Sequence, residues 1–191
     1  MMTHPESQKE LKKIASLSPS IQPIVLAAFL SRLFGQKDVA LTVVGGAAVQ
    51  FYTQGDYVTY DLDSILQGDT KEIIESIMTR LGFNRTTNYR HFEHASFGFT
   101  VEFPPSPVCV GSRVINQVNN INTEEGLVRV IKLEDIIVDR IIAAVEWRDE
   151  PSLGQAKLLW IKNKKQIDLD YLSDFAKKEG YLQTLREVIS T

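Results

Sequence analysis

The segment VVGGAAVQFYTQGDYVTYDLDSIL, Val43 to Leu66, sets two carboxylates, Asp61 and Asp63, inside an apolar run of β character. Aspartate is depleted in strands and costly to bury without a partner, and local rules are broken most often where function requires it. Residues two apart on a strand share a face, so the carboxylates stand side by side with backbones about 6–7 Å apart. Such a pair suits hard divalent cations such as Mg2+, which take oxygen ligands and bridge to substrate phosphates. Glu102, between Val101 and Phe103 in GFTVEFPP, is the further strand acid that a two-metal site needs. Gly45-Gly46 sits where a strand hands over to a helix. Glycine there lets backbone approach a ligand closely, and the exposed N–H groups of a helix start favour phosphate. A phosphate cradle beside metal-binding carboxylates is the minimum apparatus for phosphoryl or nucleotidyl transfer. Taken singly, Gly-Gly is a common tight turn and Asp-x-Asp a common solvated strand end. Their joint order, with Glu102 on a later strand, points to a site.

Between the aspartates and Glu102 runs RLGFNRTTNYRHFEH, Arg80 to His94, with three arginines and two histidines against one acid, Glu93. Arg85 and Arg90 are expected at the mouth of the site, steering a triphosphate or an acceptor RNA end; a solvated hairpin is the plain alternative. His91-x-x-His94 would have to present both rings on one face to hold zinc, and a strand puts residues three apart on opposite faces. Arg140 interrupts the apolar stripe of LEDIIVDRIIAAVEW, where an ion pair to Asp139, Glu134 or Asp135 would account for it.

The elements that carry these residues follow from periodicity and breakers. Helices are expected at 6–18 and 21–35, the second ending at Gly35. A strand over Val39–Val44, a short helix from Gly45 to Tyr52 and a strand over Tyr60–Leu66 come next. An amphipathic helix, Thr70–Leu81, presents Ile73, Ile74, Ile77 and Leu81 on one face. Strands near Thr86–Phe92 and Ser96–Phe103 end at PPSP, and Val114–Asn119 and Leu127–Ile131 form a further pair. From Leu133 the pattern is helical, with successors at Ser152–Lys162, Leu169–Lys178 and Tyr181–Ile189. These elements make an α+β protein, a mixed β-sheet flanked by helices with a C-terminal helical subdomain. The expected divisions are N-terminal helices at 1–36, a core at 37–132 and the helical subdomain at 133–191.

The chain has 191 residues, a net charge of −3 and one cysteine, Cys109. That charge argues against a protein that coats nucleic acid indiscriminately. A lone cysteine excludes an internal disulfide. No apolar window approaches a membrane span and no signal-peptide pattern opens the sequence, so no membrane partner and a cytoplasmic location are expected.

VVGGAAV followed by TYDLD resembles the hG[GS]…DhD signature of the nucleotidyltransferase superfamily, which includes DNA polymerase beta, aminoglycoside nucleotidyltransferases and toxin-type minimal nucleotidyltransferases. VEFPPSP, VRVIKLEDIIVDRIIAAVEWRD and SLGQAKLLW are similar to later segments of a bacterial and archaeal group akin to abortive-infection and toxin–antitoxin enzymes. The resemblance spans about residues 40–180. It implies a nucleotidyltransferase-type sheet, with Gly45 and Gly46 on the triphosphate, and Asp61, Asp63 and Glu102 as catalytic metal ligands for two Mg2+ ions. It also makes Arg140 a second-tier phosphate contact. The implied reaction moves an NMP from an NTP to a hydroxyl on RNA, protein or a small molecule. Fourteen residues, Ala47 to Tyr60, separate Gly46 from Asp61, at or slightly beyond the family's usual spacing. The spacing keeps open an inactive binding module or the partner protein of a toxin–antitoxin pair.

Overall fold

The computed structural model describes residues 4–68, 70–88 and 90–191. Its main sheet is built from β1 (Leu41–Val43), β2 (Asp61–Leu66), β3 (Asn84–Arg85), β4 (His91–Glu93) and β5 (Thr100–Glu102). A small separate hairpin, β6 (Cys109–Val110) with β7 (Arg113–Val114), precedes β8 (Val118–Thr123) and β9 (Gly126–Ile131), which rejoin the main sheet. The spatial order is β3-β4-β5-β2-β1-β9-β8. The sheet is mixed: β2 runs parallel to β5 and β1 parallel to β9, and the remaining pairs are antiparallel.

Register decides which side chains share a face. Leu62 pairs with Val101, and Val101 with Phe92. All three are 0–1% exposed, so this row is the core face. It is covered by α2 (Gln22–Gly35) and α4 (Lys71–Leu81). Phe34 of α2 meets Phe103 edge-on at 5.7 Å between ring centroids, and Phe103 meets Phe92 at 5.9 Å. The N-terminal helices α1 (His4–Ala15) and α2 therefore share the core of the sheet. In α4, Ile77, Met78 and Leu81 are the buried stripe that the 3.6-residue period anticipates. Gly82 closes that helix at φ +87°, where the Phe83 N–H returns to the Met78 carbonyl at 3.0 Å.

The helical part comprises α5 (Leu133–Glu146), α6 (Glu150–Asn163), α7 (Leu169–Glu179) and α8 (Leu182–Ile189). Asp168 caps α7, accepting from the Tyr171 N–H at 3.0 Å. Tyr52, at the end of α3 (Gly45–Tyr52), ties this part to the sheet. Its hydroxyl donates to the Ile131 carbonyl at 2.7 Å and its own carbonyl accepts from Asn163 Nδ2 at 3.1 Å. Burial pushes the Tyr52 phenol up to about 12. No helix among the described residues is long and apolar enough to cross a membrane.

Three local expectations change. Thr86–Phe92 is mostly the connection between β3 and β4: the Asn88 side chain accepts from the Arg90 N–H at 3.1 Å, and the Thr86 N–H donates to the His91 carbonyl at 3.0 Å. Asparagine's local hydrogen bonding outcompetes the β character of its neighbours here; Tyr89 lies outside the described residues. Ser96–Phe103 contracts to Thr100–Glu102 behind a loop in which the Ser96 N–H donates to His94 Nδ1 at 3.1 Å. The strand expected at Val114–Asn119 divides: Val114 ends the small β6–β7 hairpin, and the strand of the main sheet is β8, Val118–Thr123. The turn of the hairpin, Gly111-Ser112 with Gly111 at φ +56°, is held by two hydrogen bonds from Ser112 to Glu179 at 2.8 and 2.9 Å.

Candidate active site

The face opposite the core row carries the carboxylates. Asp61 pairs with Thr100, Asp63 with Glu102, and Glu102 with His91, so all of these side chains share one side of β2, β5 and β4. The Thr100 hydroxyl donates to Asp61 Oδ1 in a short hydrogen bond. His91 Nδ1 lies 2.7 Å from Glu102 Oε1. Burial, with Glu102 and Asp61 as neighbouring like charges, pushes the Asp63 carboxyl up to about 6; the Gly46 N–H bonded to it and the Arg140 guanidinium act the other way. Glu102 is also raised, by burial first, with His91 opposing. The three acids share one field, yet among the described residues no three His, Cys, Asp or Glu side chains close into a metal cage.

The glycines serve this geometry. At Gly45, φ is +56° and an added Cβ would collide with the Asp63 carboxylate; at Gly46 it would sit 2.5 Å from Thr59 Oγ1. The room left by the missing side chains is filled by groups of the protein, where the sequence reading gave it to a phosphate. The Gly46 N–H at the start of α3 binds the Asp63 carboxylate itself. We expect Gly45→Ala to destabilise the fold by about 1–2 kcal/mol for the left-handed backbone alone, plus the cost of displacing Asp63. In a Gly45→Ala/Asp63→Ala double-mutant cycle measured by urea unfolding, much of the second part should vanish. Strict additivity would show that Gly45 and Asp63 do not interact.

The long spacing from Gly46 to Asp61 is taken up by α3 and the turn that follows. Gln50, 2% exposed, pins that turn: its Nε2 donates to the Pro19 and Ser20 carbonyls at 2.9 Å, and its Oε1 accepts from the Thr59 N–H at 2.7 Å. Thr59 Oγ1 then accepts from the Asp61 N–H at 3.2 Å, which fixes where β2 begins. Gln50, Thr59, Thr100 and His91 as the partner of Glu102 all escaped the sequence reading. A two-residue offset from the acids was the available signal for Thr59 and Thr100.

The arginines divide. Arg140 on α5 acts on the site through its charge, which favours the ionised form of Asp63. Its Nε donates to Asp139 Oδ2 at 3.0 Å and its Nη1 lies 3.4 Å from Gln155 Oε1, so the anticipated ion pair to Asp139 and an influence on the carboxylates coexist. Arg85 does not reach the site. Its register partner is Phe92 on the core face, and its guanidinium pairs with Glu75 of α4 at 3.0 Å. Arg90 lines the same cavity as Arg85, behind the sheet. The placement of both at the mouth of the carboxylate site is corrected accordingly: alternation along a strand outweighs nearness in sequence. His94 packs its ring against Phe83 and Phe97, at 4.9 and 5.5 Å.

An open cleft of about 670 Å3 adjoins Asp61 on the β4–β5 side, lined by Tyr60, Glu93, His94, Phe97 and Thr100, with no lysine or arginine among the described residues that line it. β1 with its glycine turn flanks β2 on the other side. Carboxylates on the inner strands of a mixed sheet, a helix N-terminus bonded to one of them and a helical part behind match the nucleotidyltransferase-type fold that the sequence resemblance implies. Solved structures agree. The chain is similar to the antibiotic-resistance factor ANT(2'')-Ia, with a TM-score of 0.53 at 16% identity, covering 89% of this chain and 99% of that one. It is likewise similar to an antigenic nucleotidyltransferase-like protein from Paracoccidioides brasiliensis, with a TM-score of 0.55 at 11% identity, over 86% of this chain and 90% of that one. No protein-family model and no curated protein matches the sequence.

Proposed function

We propose that the protein is a Mg2+-dependent nucleotidyltransferase that moves an NMP from an NTP to a hydroxyl acceptor and releases pyrophosphate. The observation that carries this reading is the row of Asp61, Asp63 and Glu102 on adjacent parallel strands, with Asp63 buried and raised by its neighbours. The donor set fits magnesium: it is all carboxylate oxygen, and crowded like charges favour a bound cation. Magnesium at Asp61, Asp63 and Glu102 would supply charge stabilisation for the attacking and leaving oxygens. Glu102, oriented by His91, is placed to accept the acceptor's proton. Arg140 contributes positive charge on the α5 side, where the triphosphate is expected to lie.

The acceptor is assigned to the cleft on the β4–β5 side, which Asp61 lines. Its lining has acids and aromatic rings without a lysine or arginine, which favours a neutral or cationic hydroxyl compound over a polyanionic RNA end. The test is incubation of the protein with Mg2+, each α-labelled NTP and a cell extract, followed by fractionation. Label is expected in small molecules or protein, dependent on Mg2+. Absence of transfer together with absence of NTP binding by calorimetry would overturn the enzymatic reading in favour of a binding module.

A further inference from the structure

Behind the sheet, on the side of α4, a cavity of about 300 Å3 lies between that helix, the end of β2 and the Pro104-Pro105 turn. Among the described residues that line it are three cations, Lys71, Arg85 and Arg90, and one acid, Glu75. Its inner wall is apolar, formed by Leu66, Ile74 and Phe103. In a chain of net charge −3, this concentration of positive charge around an apolar floor is a local exception. Arg85 and Arg90, expected from the sequence to steer a triphosphate or an acceptor RNA end, take no part in the proposed reaction.

We propose that this cavity binds a small phosphorylated organic anion of nucleoside monophosphate size, at a second site separate from the carboxylate face. The arginines supply planar donors suited to phosphate oxygens, Arg85 through the N–H groups beyond the one that holds Glu75 at 3.0 Å, and Lys71 adds a point charge. The apolar wall accepts a ring. The volume matches the lower end of small-ligand pockets. A pocket of about 300 Å3 does not suit a nucleic-acid strand, which needs a groove tracking successive phosphates.

The two faces are connected through single residues. Arg90 precedes His91, and Phe103 follows Glu102; the Phe103 N–H donates to the Arg90 carbonyl at 3.1 Å, and His91 pairs with Glu102 on the other side. A ligand held by Arg90 and seated on Phe103 therefore touches the back of the two strands that present Glu102 and its partner. The inference concerns binding and stands whether or not the carboxylate face transfers nucleotides.

The test is equilibrium dialysis in EDTA, using the full chain, with the four common nucleoside monophosphates and with inorganic phosphate as probes. At least one monophosphate is expected to bind, with phosphate at least about tenfold weaker because it leaves the apolar wall unused. Binding should persist in Asp61→Asn/Asp63→Asn and weaken at least about tenfold in Arg85→Ala/Arg90→Ala, which lacks the charge-assisted hydrogen bonds. Lys71→Glu should weaken it similarly. That variant puts an acid in the first turn of α4, where it favours the helix, so misfolding does not explain a loss. The proposal is overturned by no monophosphate binding, by equal affinity for phosphate, by affinity that survives Lys71→Glu, or by affinity lost with the two aspartates.

Discussion

Asp61→Asn/Asp63→Asn protein is expected to lose nucleotidyl transfer by at least about a thousandfold, since charge stabilisation by a bound metal supplies several kcal/mol of barrier lowering. Asparagine keeps the shape of each side chain and an oxygen for the Thr100 hydroxyl and the Gly46 N–H, so the site should stay folded around the change. The loss should appear in kcat more than in KM for the NTP, because the interaction is stronger in the transition state than in the ground state. Glu102→Gln should also lower kcat, and His91→Gln less, because His91 touches only the proposed base. Circular dichroism would establish that the fold persists. Wild-type turnover in a well-folded double variant would sink the mechanism.

The second large effect is on stability, and its sign is the reverse of a typical surface carboxylate. Asp63 has a folded value of about 6 against an ordinary 3.8. The folded chain therefore keeps a proton that the unfolded chain releases, and stability falls as pH rises from about 4 to about 6, by up to about 3 kcal/mol. Asparagine cannot ionise and escapes this penalty. In EDTA at pH 7.5, Asp63→Asn should raise the Tm by about 5 °C, taking about 2 kcal/mol for a chain of this size. At pH 4 the two proteins should unfold at nearly the same temperature. Mg2+ should stabilise the wild type and leave the variant unmoved, by linkage to the folded state. A variant no more stable than wild type at pH 7.5, with a parallel pH profile, would show that Asp63 carries no such penalty.

What the sequence made legible was whatever depends on short-range period. Asp61 and Asp63 share a face because a strand alternates, and β2 and β5 bring Glu102 beside Asp63 in parallel register. The long helices follow from apolar spacing, as in α4 and α5. What was not legible depends on partners distant in the chain. Arg85 sits in a two-residue strand, and its face is set by pairing with Phe92 rather than by its own surroundings. His91 acquires meaning only once β4 lies antiparallel to β5. The β6–β7 hairpin is too short for a periodic signal and is held by Glu179, which is 67 residues away from Ser112. Gln50, an ordinary residue of a short helix, is the pin for the loop before Asp61 only because Pro19 and Ser20 pass beside it.

The interior place of β1 has a consequence for synthesis on the ribosome. This three-residue strand lies between β2 and β9, so one of its edges is completed by Asp61–Leu66 and the other only by Gly126–Ile131. A nascent chain that has exposed the glycine turn and all three carboxylates still carries β1 as an uncovered edge until β9 emerges. Parallel pairing across so long a separation is slow to form, and open edges invite pairing with other chains meanwhile. The half-made protein thus displays Asp61, Asp63 and Glu102 before β1 is paired on both edges, and the sheet that carries them is completed late in translation.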